Sequence, residues 1–175
     1  MKNELCVLKD DKLSPDIEKF YSQFYNEKWD FQYRGGDEYC RKYLEQYSLD
    51  KFLLSVAFGG IPPSSGLPIH LDPGDRTYTL LYGLKNKEYL EWIYYEVTPG
   101  ASLVGKYNKS GVFYSEFEES SIVGPLETQK LDKNFIGNIK VPHTVINHSK
   151  DEFAYFVTMR LSKELNLEEM AYIFE

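Results

Sequence analysis

Cysteine and histidine are scarce in this chain of 175 residues, which has two of the first and three of the second. Cys6 and Cys40 stand without CxxC spacing or a secretory framework, which predicts two reduced thiols in place of a disulfide. Basic residues are also short, 20 against 27 acidic for a net charge of −7, so the chain lacks the broad positive footprint that duplex nucleic acid requires. No apolar run approaches the length of a membrane span, and the opening MKNELCVLKDDK has no apolar stretch of the signal-peptide kind. The expectation is a soluble, cytoplasmic protein with no membrane partner. Internal repeats, low-complexity tracts and flexible linkers are missing too, and the length suits one domain.

What the chain does hold is an ordinary apolar fraction of 42% and many aromatics, 15 Tyr and 11 Phe, which favour strands and can line a concave pocket. After a short apolar stretch at Leu5 to Leu8, Ser14-Pro15 offers an N-cap and a first-turn proline. Ile17, Phe20, Tyr21 and Phe24 follow at helical spacing. A second helical pattern runs from Asp37 to Tyr47, with Tyr39, Cys40, Tyr43, Leu44 and Tyr47 on one face. From Phe52 onward the period becomes that of strands: FLLSVAF, IHLD, TYTLLYGL, EYLEWIYYEV, GVFYSEFE, NFIGNIKV, TVINH and FAYFVTMRL, separated by Gly, Pro, Asn and Asp. Eight short strands without helices between them predict a mainly β fold with flanking helices, a cupin-like jelly roll or double-stranded β-helix. The expected organisation is a helical segment over 1–51, the roll over 52–161 and a C-terminal helix over 162–175.

Three residues could converge on a metal. Residues two apart on a strand point to the same side, so His70 and Asp72 can offer an imidazole nitrogen and a carboxylate oxygen to one point. In a roll of two Greek keys early and late strands lie side by side, which makes His143 the third candidate ligand. Two histidines and one carboxylate form the facial triad of non-haem iron(II), with positions left open for co-substrate and oxygen. The competing reading is a turn opened by Asp72-Pro73-Gly74-Asp75, with His70 a satisfied surface or pocket residue. His148, in the polar stretch NHSKDE, reads as an exposed turn residue.

The segments IHLDPGDRTYTLLYGL and VPHTVINHSKDEFAYFVTMRL resemble the iron(II)/2-oxoglutarate-dependent oxygenase superfamily, in particular its small prolyl-hydroxylase-like proteins of phages and marine microbes. The resemblance covers His70, Asp72, Arg76, the strand from Tyr78 to Tyr82, and Pro142, His143, Val145 and Asn147. It implies an enzyme, a dioxygenase in which His70, Asp72 and His143 hold Fe(II). 2-Oxoglutarate and O2 would be its small-molecule co-substrates, with succinate and CO2 released as a substrate is hydroxylated. That substrate is left open among protein side chains, amino acids and nucleobases. In such proteins a basic residue about ten positions after the last metal histidine holds the distal carboxylate of 2-oxoglutarate. Here that position is Phe153, so the role passes to Arg160, seventeen after His143, with the Tyr82 hydroxyl as a second contact. A planar guanidinium in an otherwise apolar strand suits a bidentate carboxylate.

Two other classes stay open. A cupin-like jelly roll that binds metal or a small ligand without oxidising anything would share the fold and the histidines, and would lack the carboxylate anchor. A metal-free interaction domain would hold His70 and His143 far apart.

Overall fold

The computed structural model describes residues 5–8, 13–25, 34–107, 111, 113–162 and 166–174. Pro15 does open the first helix, α1 (Pro15–Ser22), because the missing proline N–H costs nothing in a first turn. Ser14 takes the N-cap position without a capping bond from its side chain, its carbonyl accepting from the Ile17 N–H at 3.0 Å. Ile17 and Tyr21, one turn apart, are fully buried. The Tyr21 hydroxyl donates to the Gly35 carbonyl at 2.7 Å, which ties α1 to the start of α2 (Asp37–Glu45). Gly36 precedes α2 at φ 88, and a Cβ there would come within 2.6 Å of the Phe20 ring, so both backbone and space call for glycine. Helix α2 buries Cys40, Tyr43 and Leu44 and stops at Glu45, short of the expected Tyr47, in a turn where Ser48 has φ 56. Burial pushes the Cys40 thiol up to about 12, leaving it an inert part of the core. The Cys6 side chain lies outside the described residues.

Eleven strands occur among the described residues. The first six are β1 (Leu5–Val7), β2 (Leu53–Ile61), β3 (Ser65–Gly66), β4 (Arg76–Gly83), β5 (Leu90–Val97) and β6 (Leu103–Tyr107). The rest are β7 (Phe113–Phe117), β8 (Ile122–Lys130), β9 (Phe135–Asn138), β10 (His143–Asn147) and β11 (Ala154–Ser162). They form a five-stranded sheet in the order β1-β9-β4-β11-β2, a four-stranded sheet in the order β3-β10-β5-β8, and the hairpin β6-β7. All pairings are antiparallel, and strands distant in sequence lie side by side, β11 between β4 and β2 and β10 against β5. This is a double-stranded β-helix.

Period-two alternation gives the large sheet two buried faces. Its outer face carries Val56, Phe58, Leu80, Tyr82, Tyr155, Val157, Met159 and Leu161 against Ile17, Tyr21, Tyr43 and Leu44 of the helices. Met170 and Phe174, from α3 (Leu167–Ile173) and the residue after it, join the same cluster. Between the sheets lies a second cluster built from Ile61, Leu81, Trp92, Tyr94, Phe135, Val145 and Phe156. The helices therefore cover one face of the large sheet, and the other face looks into the roll. Residues 163–165, at the head of the expected C-terminal helix, lie outside the described residues.

Several expectations are corrected. IHLD is no regular strand: Pro68 and Pro73 flank it without N–H groups to donate, and its only bridges are the single pairs of His70 with His143 and with Glu116. Strand β8 escaped the period-two reading because Gly124 and Pro125 interrupt it; as an edge strand it tolerates both, with the register shifting opposite Tyr94 and Tyr95. Strand β6, with Gly105 at its centre and every residue exposed, had no buried face to betray it. β1 comes from the segment expected to supply helices alone, and pairs with β9 at the sheet edge. No helix among the described residues is long and apolar enough to cross a membrane.

Candidate metal centre

His70 reaches the site by a short β-bridge. Its N–H donates to the His143 carbonyl at 3.0 Å and its carbonyl accepts from the His143 N–H at 3.1 Å, so the two residues form a directly opposed pair. Opposed residues share a face, and their rings lie 4.4 Å apart, centre to centre. Two residues on, the Asp72 N–H donates to the Ile139 carbonyl at 3.3 Å, and the chain then turns through Pro73 and Gly74, whose φ of 75 favours glycine. Lys140 fastens that turn by donating to the carbonyls of Asp72, at 3.2 Å, and Gly74, at 2.6 Å. One local segment thus presents both an imidazole and a carboxylate.

The third group, His143, opens β10 opposite Tyr94 and is 2% exposed. The indole of Trp92 lies flat on its ring, 4.4 Å away with 9° between the planes, and fixes the imidazole orientation. Each histidine has its Nδ1 at 2.8 Å from a backbone carbonyl two residues earlier, Pro68 for His70 and Val141 for His143. A proton on Nδ1 satisfies that carbonyl and leaves the Nε2 lone pair for a metal. One ligand atom from each of His70, Asp72 and His143 falls within 4.8 Å of the others.

The electrostatics agree with a ligand set. Burial, together with the neighbouring His70, holds the His143 imidazole down at about 3, and burial likewise lowers His70 although Asp72 pulls it back. Both rings are neutral at pH 7, as metal coordination demands. Burial alone would raise the Asp72 carboxyl, but Arg160, His143 and His70 reverse that and bring it to about 2. The Arg160 Nε donates to Asp72 Oδ2 at 2.5 Å, and both residues are buried. These groups line a cavity of about 20 Å³ together with Leu67, Ile139, Val145 and Phe156.

The structure therefore brings His70, Asp72, His143 and Arg160 together and leaves Tyr82 out. Tyr82 opposes Val157, three residues from Arg160 and so on the other face of the sheet. Its hydroxyl shares a hydrogen bond with that of Tyr43 on α2, within the helix-facing core. The expectation of a co-substrate contact at Tyr82 gives way to one between helix and sheet. His148 is exposed and pairs with Glu91 at 2.8 Å, as a turn residue.

Similar folds are known. The E. coli ycfD structure is 12% identical over 97% of this chain and 52% of that chain, with a TM-score of 0.50. This chain spans about half the length of ycfD. A Pseudomonas putida prolyl-4-hydroxylase is 15% identical over 94% of this chain and 88% of its own, with a TM-score of 0.44. AviO1 from Streptomyces viridochromogenes Tue57 is 12% identical over 87% and 86%, with a TM-score of 0.42. At such identities the likeness to ycfD is one of fold. No family model matches the chain, and no curated protein is similar to it in sequence.

Two members of the site were not read from the sequence. Trp92 shares a face with Tyr94 by simple alternation in EYLEWIYYEV, but only the pairing of β5 with β10 sets it on His143. Lys140 precedes His143 by three and has no sequence mark of its own; its role comes from the turn it meets.

Proposed function

We propose that this chain is an iron(II)- and 2-oxoglutarate-dependent oxygenase that hydroxylates a substrate C–H bond and releases succinate and CO2. The observation that carries the reading is the convergence of two neutral imidazoles and one ionised carboxylate, with a buried guanidinium beside them, on one cavity between the sheets of a double-stranded β-helix. The donor set fits the metal, since nitrogen and oxygen ligands of this count suit iron(II) and leave positions open. Iron bound there would supply oxygen activation coupled to the oxidative decarboxylation of 2-oxoglutarate.

The protein's own contribution is charge and geometry. Arg160 keeps Asp72 ionised and brings the only buried positive charge among the cavity-lining residues, which suits a carboxylate of the co-substrate. The Pro68 and Val141 carbonyls hold the two imidazoles in the metal-binding tautomer. Leu67, Ile139, Val145 and Phe156 give the cavity an apolar wall. A substrate has room in an open groove of about 750 Å³ that shares Leu67 with the cavity and runs past Ile69, Tyr95, Glu116 and Ile146.

A second reading, a cupin-like protein that binds metal or a small ligand without oxidation, is favoured by the size of the cavity, room for about one water, and by the engagement of Arg160 with Asp72. Anaerobic titration separates the two. With iron(II) bound, 2-oxoglutarate should raise a weak visible charge-transfer band that is lost in His143→Ala. Iron binding with no band and no affinity for 2-oxoglutarate would favour the second reading, and failure to bind iron would overturn both.

A further inference from the structure

Trp92 carries a group that the reading above leaves idle. The residue is 2% exposed, and its indole Nε1 is buried with no hydrogen-bond partner. Indole nitrogen can only donate, and native structures leave few buried donors unmatched because each costs free energy. No other side chain lining the cavity has a buried polar atom in this condition. The Thr158 hydroxyl donates to the Ala57 carbonyl at 3.3 Å, and Arg160 Nε is engaged with Asp72. Leu67, Ile139, Val145 and Phe156 have apolar side chains. Among the residues that line the cavity, Arg160 is the one charged donor and Trp92 carries the one buried N–H left unmatched, on a ring held by its stack against His143.

We propose that Trp92 recognises the co-substrate: its indole N–H donates to a carboxylate or keto oxygen of 2-oxoglutarate bound beside the metal. The inference rests on the oxygenase reading. A neutral donor in an apolar wall gives direction without a second buried charge to compensate, so it complements Arg160 instead of duplicating it.

The test uses the full chain, labelled with 15N and loaded with zinc(II) as a diamagnetic substitute for iron. Trp29 and Trp92 give two indole resonances, and Trp29→Phe identifies the one that belongs to Trp92. Saturation with 2-oxoglutarate, followed in parallel by calorimetry, should move the Trp92 indole proton downfield. In Trp92→Phe, which keeps an aromatic ring to stack on His143, 2-oxoglutarate should bind roughly tenfold more weakly while metal affinity stays within about twofold. Should that variant not fold, the wild-type resonance decides. Calorimetric binding of 2-oxoglutarate with an unmoved resonance would overturn the proposal while the oxygenase reading stands, and would leave the N–H a weak contact with the ring of Phe135, 5.2 Å away and nearly perpendicular. No binding of 2-oxoglutarate to the wild type would bring down the oxygenase reading, and the proposal with it.

Discussion

The two faces of β11 differ although their residues alternate along one strand. Tyr155, Val157, Met159 and Leu161 face the helices and are apolar or aromatic throughout. Ala154, Phe156, Thr158 and Arg160 face the interior of the roll and pass from apolar to charged along the strand. Both faces are buried, so burial alone does not distinguish them. What does is the company each face keeps. The outer one meets helices that can match it with methyl and ring surface, whereas the inner one meets a carboxylate and two imidazoles and must supply hydrogen bonds. Stability and chemistry are thereby separated by one residue of register.

Substitution on either side of that register gives the largest contrast. Arg160→Ala leaves the Asp72 carboxylate buried without its partner and should cost about 3–5 kcal/mol in denaturant unfolding of the metal-free protein. Where the variant is folded, it should also weaken 2-oxoglutarate binding about ten- to a hundredfold, with lysine restoring only part. Leu161→Ala, the next residue on the outer face, should lose a comparable ~2–5 kcal/mol through its cavity yet keep iron and 2-oxoglutarate affinities within about twofold. The contrast breaks if metal affinity falls with stability in Leu161→Ala, or if Arg160→Ala unfolds no sooner than wild type.

Acid should act through the inner face. His70 and His143 are held neutral in the fold, so as pH falls below their ordinary value of 6.5 the unfolded chain takes up protons that the folded chain refuses, and stability drops; for His143 the loss continues to about 3. Asp72 adds a further loss as pH falls from its ordinary 3.8 towards about 2, where the folded carboxylate finally protonates. Each group contributes at most about 1.4 kcal/mol per pH unit. Urea midpoints of the metal-free protein measured from pH 7 to pH 4 should fall, and His143→Gln should flatten the slope. An unchanged slope in that variant would show that His143 is not held neutral.

The smallest effect is expected at Tyr82. Tyr82→Phe removes its share of the hydrogen bond with Tyr43 and should cost about 0.5–1.5 kcal/mol. Because Tyr82 faces the helices, 2-oxoglutarate affinity should not change. A tenfold loss there would mean that the outer face communicates with the site after all.

Local chemistry wrote much of this protein directly into its sequence. Pro15 and the Ile17–Tyr21 spacing set α1, alternation set most strands of the two sheets, and the spacing of His70 and Asp72 set a bidentate local segment. These signals are short-range, since they depend on backbone geometry and on the few residues around each position. What the tertiary structure alone decided is long-range. Pairing of residue 70 with residue 143 brings the third candidate ligand in, pairing of β5 with β10 lays Trp92 on His143, and the register of β11 against β4 sends Arg160 inward and Tyr82 outward. A one-residue slip would exchange those faces while leaving the alternating pattern of the strand intact, so the pattern shows that two faces exist. Which face meets the two imidazoles and the carboxylate is settled only by the strands on either side.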